Sequence, residues 1–205
     1  MTRTFIAIEL SDGVRSHLSR ELRRLAQALP RLRWVDPDTL HLTLSFLGEL
    51  DDEQLDNAIQ ATTDTAAEAK PFTLHIGSLG TFGPPRSPRV IWSGVTGDMP
   101  RLLSLQKQLT ARLAEQGFPP EERPYSPHLT LARIKDALTH QELATLQRLI
   151  HPTLATHARQ HTTARASDKD HHTVISVEHL SVMKSELLRD GPRYTCLRLC
   201  PLRTA

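Results

Sequence analysis

The chain has 205 residues, 39% hydrophobic and 23% charged, with a formal net charge of +2. These values suit one generous domain (residues 1–205) or two small lobes sharing a core, exclude a disordered chain, and leave charge alone unable to mark a nucleic-acid binder. Two cysteines are too few for a disulfide scaffold, and no stretch approaches the about 18 apolar residues of a membrane span. A reduced, cytoplasmic protein is the expectation, without membrane association and with a monomer as the default. The basic side chains are nearly all arginine, the only lysines being Lys70, Lys107, Lys135, Lys169 and Lys184. Arginine forks match phosphate or carboxylate oxygens in pairs, so an anionic partner is permitted.

Phe5 to Leu10 reads as a buried strand, followed by a helix starting at Ser11-Asp12, with Val14, Leu18, Leu22, Leu25 and Leu29 on one face until Pro30. Leu32 to Val35 reads as a short strand, and Leu40 to Leu47 as a longer one closed by Gly48. A second helix spans about Asp51 to Ala69 and stops before Pro71. Phe72 to Leu79 is a strand, Gly80 to Pro88 a proline-rich loop, and Arg89 to Val95 another strand. The order then repeats: a helix over Met99 to Gln116, a loop over Pro119 to Pro127, a strand, and a short helix near Thr139 to Ile150. Val174 to Val177, Leu180 to Lys184 and Tyr194 to Leu199 close the chain as strands. Adjacent strand pairs favour antiparallel sheets, so the fold class is α+β with two pseudo-symmetric lobes facing a central groove and helices outside. Thr156 to His172 stands apart as a polar, solvated stretch. Its His157, His161, His171 and His172 lack regular ligand spacing, and no metal or other cofactor is expected.

Two copies of His-Leu-Thr-Leu carry the chemistry, at His41-Leu42-Thr43-Leu44 and His128-Leu129-Thr130-Leu131. A strand alternates its faces, so each copy aims a histidine and a threonine one way and two leucines the other. Two imidazoles meeting across a cleft supply a general base for water and a general acid for a leaving alkoxide. Thr43, Thr130 and Arg133 can supply donors to a phosphate. Strict alternation turns Arg133 to the leucine face, so a strand end, bulge or twist must bring it around. The same parity assigns Phe46 to the core and Ser45 to the His41 face. Phe82, in the proline-rich loop, is the candidate platform for a nucleobase. Tyr125 either orients His128 or caps its strand.

These residues resemble the 2H phosphoesterases, and among them the RNA 2′,3′-cyclic phosphodiesterases also called 2′-5′ RNA ligases. The resemblance runs through Phe5-Ile6-Ala7-Ile8, Arg33-Trp34-Val35, both motifs with Phe46-Leu47-Gly48 and Ala132-Arg133, Arg89-Val90-Ile91-Trp92, and Gly191-Pro192-Arg193-Tyr194. It implies that His41 is the proton donor and His128 the proton acceptor, acting on RNA or nucleotides ending in a 2′,3′-cyclic phosphate to leave a 2′-phosphate, with 2′-5′ ligation as the reverse chemistry. Two other readings stand beside it: a non-catalytic RNA-end-binding module of the same fold, and a metallohydrolase using the histidines as ligands. The second would lose activity on chelation.

Overall fold

The computed structural model describes residues 1–151, 173–189 and 191–203. The expected His-rich stretch from Thr156 to His172 lies outside them. Among the described residues the order is β1 (Thr2–Glu9), α1 (Asp12–Ala28), β2 (His41–Leu50), α2 (Asp52–Glu68), β3 (Phe72–Phe82), β4 (Val90–Gly97), α3 (Met99–Glu115), β5 (His128–Arg133), α4 (His140–Ile150), β6 (Val174–Val177), β7 (His179–Leu187) and β8 (Pro192–Pro201). Each helix starts where a side chain can accept an otherwise orphaned backbone N–H. Ser11 and Asp98 cap α1 and α3, while Asp51 with Gln54 and Thr139 with Glu142 form capping boxes on α2 and α4.

The strands form two antiparallel four-stranded sheets, ordered β2-β1-β7-β8 and β5-β4-β3-β6. The α+β architecture with two lobes is as the sequence suggests, but the lobes are not the two halves of the chain. The outer-terminal strands β7 and β8 return to pair beside β1, and the central strands make the second sheet. Leucine faces of both sheets and the stripes Val14-Leu18-Leu22-Leu25 and Leu102-Leu105-Leu109-Leu113 of α1 and α3 share one buried cluster. The opposite face of the first sheet carries a separate small cluster of Phe5, Ala7 and Met183, against which Tyr194 packs. Helices therefore cover the leucine faces and leave the other faces to the groove.

One irregularity occurs twice. In β2, Ala7 pairs with Thr43 and Ile6 with Ser45, so Leu44 is an extra residue. In β5, Trp92 pairs with Thr130 and Ile91 with Ala132, which leaves Leu131 extra. Both bulges fall at the same place in the motif. Leu44 and Ser45 are buried in succession, as are Leu131 and Ala132, and the following residue is exposed in each case. A bulge shifts strand parity by one, so Phe46 and Arg133 return to the histidine face. Phe46 is thus not core; it is 61% exposed. Ser45, expected beside His41, is buried on the opposite side. The carbonyls at the bulges are taken up by groups outside their own sheets: Gln106 Nε2 donates to Leu44 O at 3.4 Å, and Val35 N donates to Leu131 O at 2.9 Å. The expected strand at Leu32 to Val35 is reduced to a single bridge, Trp34 opposite Ala132. Its backbone serves the bulge instead of a full ladder.

The proline-rich loop begins later than expected, because β3 continues through Gly80 to Phe82. Gly80 lies opposite Trp92, and a Cβ on it would overlap the indole ring. Overpacking of this kind costs about 1–3 kcal/mol. The expected outcome for Gly80→Ala is an unfolding free energy lower by that amount, read as a lower urea midpoint with an unchanged slope. An undiminished midpoint would mean that the indole can move aside freely.

Candidate active site

β2 and β5 are the outer strands of their respective sheets, and they lie side by side. Each opens on its motif histidine. His41 Nδ1 lies 2.8 Å from Thr39 O, and His128 Nδ1 lies 2.6 Å from Ser126 O. A carbonyl oxygen only accepts, so both Nδ1 atoms carry hydrogen and donate. In the neutral ring this leaves Nε2 as the lone-pair atom. The two histidines use the same device, a bond to the carbonyl two residues earlier, to present the same nitrogen.

Aromatic rings hold both imidazoles laterally. His41 packs against Phe5 with centroids 4.7 Å apart and meets Tyr194 edge-on at 5.1 Å. His128 meets Phe82 edge-on at 4.7 Å, with Trp92 at 6.5 Å. Phe82 is therefore not a freely exposed loop ring; it is the last residue of β3, half-buried against His128 and Trp92. The threonines share the partial burial of their histidines. Among the described residues neither the Thr43 nor the Thr130 hydroxyl has a hydrogen-bond partner, so both are available to a ligand.

Contacts across the lobes set the groove. The Tyr125 hydroxyl donates to Thr43 O at 3.0 Å, which ties the lead-in of the second motif to the strand of the first. Phe46 N donates to Glu121 Oε1 at 3.3 Å. Tyr125 thus braces β2 and has no contact with the His128 ring. Burial raises its phenol pKa, and the nearby Glu121 adds to the shift. Burial likewise raises the Tyr194 phenol, while the charges of Arg133 and Arg3 pull it down. Arg133, on the second lobe, is therefore within electrostatic reach of Tyr194 on the first. The residues expected in the site (His41, Thr43, His128, Thr130 and Arg133) come together at this groove. The sequence reading missed Phe46 and Tyr194, and it also missed Glu9, the register partner of His41. Alternation along β1 was the signal available for Glu9; none existed for Phe46 without the bulge.

Residues 8–92 and 96–194 match the family described as LigT-like phosphoesterases. The chain belongs to that family, a group of 2H phosphoesterases. An RNA 2′,3′-cyclic phosphodiesterase of Methanothermobacter thermautotrophicus is 37% identical over 145 residues, 70% of this chain and 77% of that protein. A protein of the same name from Aquifex aeolicus is 28% identical over 95% of this chain and 94% of its own length. Among solved structures, E. coli LigT complexed with 3′-AMP superimposes with a TM-score of 0.72 at 26% identity, covering 99% of both chains. Among the described residues no helix is long and apolar enough to cross a membrane.

Burial holds the His41 pKa below its usual value near 6.5, and the charge of His128 pushes the same way; the Thr39 carbonyl and Glu9 oppose both. With the native pKa below the unfolded one, the unfolded chain binds more protons in that window. The contribution of His41 to stability is thus fully present above about pH 6.5 and lost as pH falls through the lowered native value. A proton-NMR titration of the His41 Cε1–H should show a midpoint below 6.5, moving upward when a nucleotide phosphate binds nearby. A midpoint at or above 6.5 in the free protein would overturn the dominance of burial.

Proposed function

We propose that the protein is an RNA 2′,3′-cyclic phosphodiesterase that works by two-histidine acid–base catalysis. The observation that carries this reading is the matched pair of Nδ1–H···O=C bonds, which leaves both Nε2 atoms as the reactive nitrogens. The names of the relatives and the 3′-AMP complex of E. coli LigT support an RNA or nucleotide substrate.

In this mechanism His128 Nε2 removes a proton from water as the water oxygen attacks phosphorus. The bond from phosphorus to the 3′ oxygen breaks, and His41 Nε2 protonates that oxygen as it leaves. A 2′-phosphate remains. The hydroxyls of Thr43 and Thr130 donate to the nonbridging oxygens, and the Arg133 guanidinium stabilises the charge that builds there. The low pKa of His41 makes it a stronger acid once protonated, and the incoming phosphodiester anion favours that protonation. These groups take on charge stabilisation that a cation otherwise supplies, so the chemistry requires no metal. Ligation to a 2′-5′ linkage is the same path reversed, with a 5′-hydroxyl in place of water. Phe46, exposed beside Phe5, offers a broader stacking face for a terminal base than Phe82 does.

Purified protein given a nucleoside 2′,3′-cyclic phosphate in excess EDTA is expected to yield the 2′-monophosphate. His41→Ala and His128→Ala should each lower kcat by about 10²–10⁴. Exclusive formation of 3′-monophosphate would reverse the leaving group and sink the assigned roles, and inhibition by the chelator would return the histidines to metal ligation. Arg133→Ala is expected to cost about 10²–10³ in kcat, the scale of one lost transition-state donor. Near-native turnover in that variant would leave the arginine outside the mechanism.

A further inference from the structure

The groove face of β1 carries a charge gradient that the proposed chemistry does not use. Alternation puts Arg3, Phe5, Ala7 and Glu9 on this face, with Arg3 and Glu9 separated by about 20 Å along the strand. Phe5 and Ala7 anchor the assignment, because they form the groove-side cluster with Met183 and Tyr194. Register places Phe5 opposite Met183, Thr4 opposite Lys184 and Ser185 opposite Tyr194. Extending that register one step past its last pair puts Arg3 level with Ser185, and so with Tyr194 beyond it.

At the Arg3 end, donors are available. Among the described residues Arg3 and Arg133 make no ion pair or side-chain hydrogen bond, and the hydroxyls of Tyr194 and Ser185 have no partner. Glu49 is the register partner of Arg3 but lies outside ion-pair distance, and Glu121 accepts the Phe46 N–H. Glu186 is paired with Lys184 at 3.0 Å, and both alternate away from the face that carries Met183 and Ser185. At the other end the Glu9 carboxylate accepts from Ser181 Oγ at 2.6 Å, with His179 Nε2 at 4.0 Å. An anion leaving the two histidines along the groove is repelled by Glu9 and attracted toward Arg3.

We propose that Arg3, with the hydroxyls of Tyr194 and Ser185, holds the backbone phosphate one nucleotide upstream of the reacting end, so that the site favours an oligoribonucleotide end over a free cyclic nucleotide. The inference rests on the phosphodiesterase reading, since it takes the terminal phosphate to lie between the histidines. Arg3 acts on substrate choice. A guanidinium bonded to phosphate is a charge-assisted contact, and each such contact on a single strand contributes about 0.7 to the slope of log affinity against log salt.

The test compares two ligands that the enzyme does not turn over: a nucleoside 2′-phosphate and a short oligoribonucleotide ending in 2′-phosphate. Each is titrated onto the native protein, Arg3→Gln and Arg3→Lys across a salt series. The native protein should bind the oligonucleotide more tightly. Arg3→Gln should lose about tenfold on the oligonucleotide, the lower end for a hydrogen bond to a charged group, and reduce its salt slope by about 0.7. Its affinity for the nucleoside 2′-phosphate should be unchanged, and Arg3→Lys should keep the slope. Equal losses on both ligands, no loss on either, or no native preference for the oligonucleotide would each overturn the subsite. Because both ligands are products, their binding is read whether or not hydrolysis is found, and the two readings fail separately.

Discussion

The site depends on one extra residue placed identically in two strands. A strand presents alternate side chains to one face, so a motif histidine and a residue five positions later belong on opposite sides. Leu44 and Leu131 each break that rule by one position. The leucine core keeps two consecutive small or apolar side chains, and the groove gains Phe46 on one strand and Arg133 on the other. The pseudo-symmetric lobes therefore differ where it matters chemically. Equivalent positions supply an exposed ring from the first motif and a guanidinium from the second. The carbonyls of the two extra leucines accept from Gln106 and Val35, so each keeps a hydrogen-bond partner.

Each histidine is constrained in two independent ways. A carbonyl two residues upstream fixes which nitrogen carries hydrogen, and aromatic rings fix the plane in which the imidazole can turn. At His41, burial disfavours the charged ring while Glu9, its register partner, favours it. The position of that balance decides how readily the ring yields a proton. Tyr125, bonded to the backbone beside Thr43, links the lead-in of one motif to the strand of the other.

Much of this arrangement was legible in the sequence because it rests on periodicity. The helix faces of α1 and α3, the capping residues, and the His/Thr face of both motif strands follow from spacing and local chemistry alone. What was not legible is what periodicity cannot hold. Phe46 and Arg133 both obey the leucine parity on paper and leave it in the fold, because a bulge has no signature in the residues Leu-Ser or Leu-Ala. Phe82 reads as loop beside Gly83-Pro84-Pro85, yet the ladder with β4 extends far enough to pull it into the sheet. Trp34 reads as strand, but its single bridge to Ala132 is set by the partner lobe. Tyr194 gains its meaning only when β8 is laid beside β7, at the far edge of the sheet from His41.

The interleaved strand order has a consequence for how the molecule comes together. In the second sheet β3 pairs with β4 across a short loop, β4 with β5 across α3, and β3 with the later strand β6. In the other sheet β1 sits between β2, which follows it closely, and β7, whose pairing residues lie near the opposite end of the chain. Closing that loop carries the larger entropic cost and must wait until Ser181 to Lys184 have been synthesised. The hairpin of β7 and β8 brings Met183 and Tyr194, the groove-side partners of Phe5. The wall beside His41 is therefore completed last, and a nascent chain already holding both histidines still lacks the enclosure that tunes the first of them.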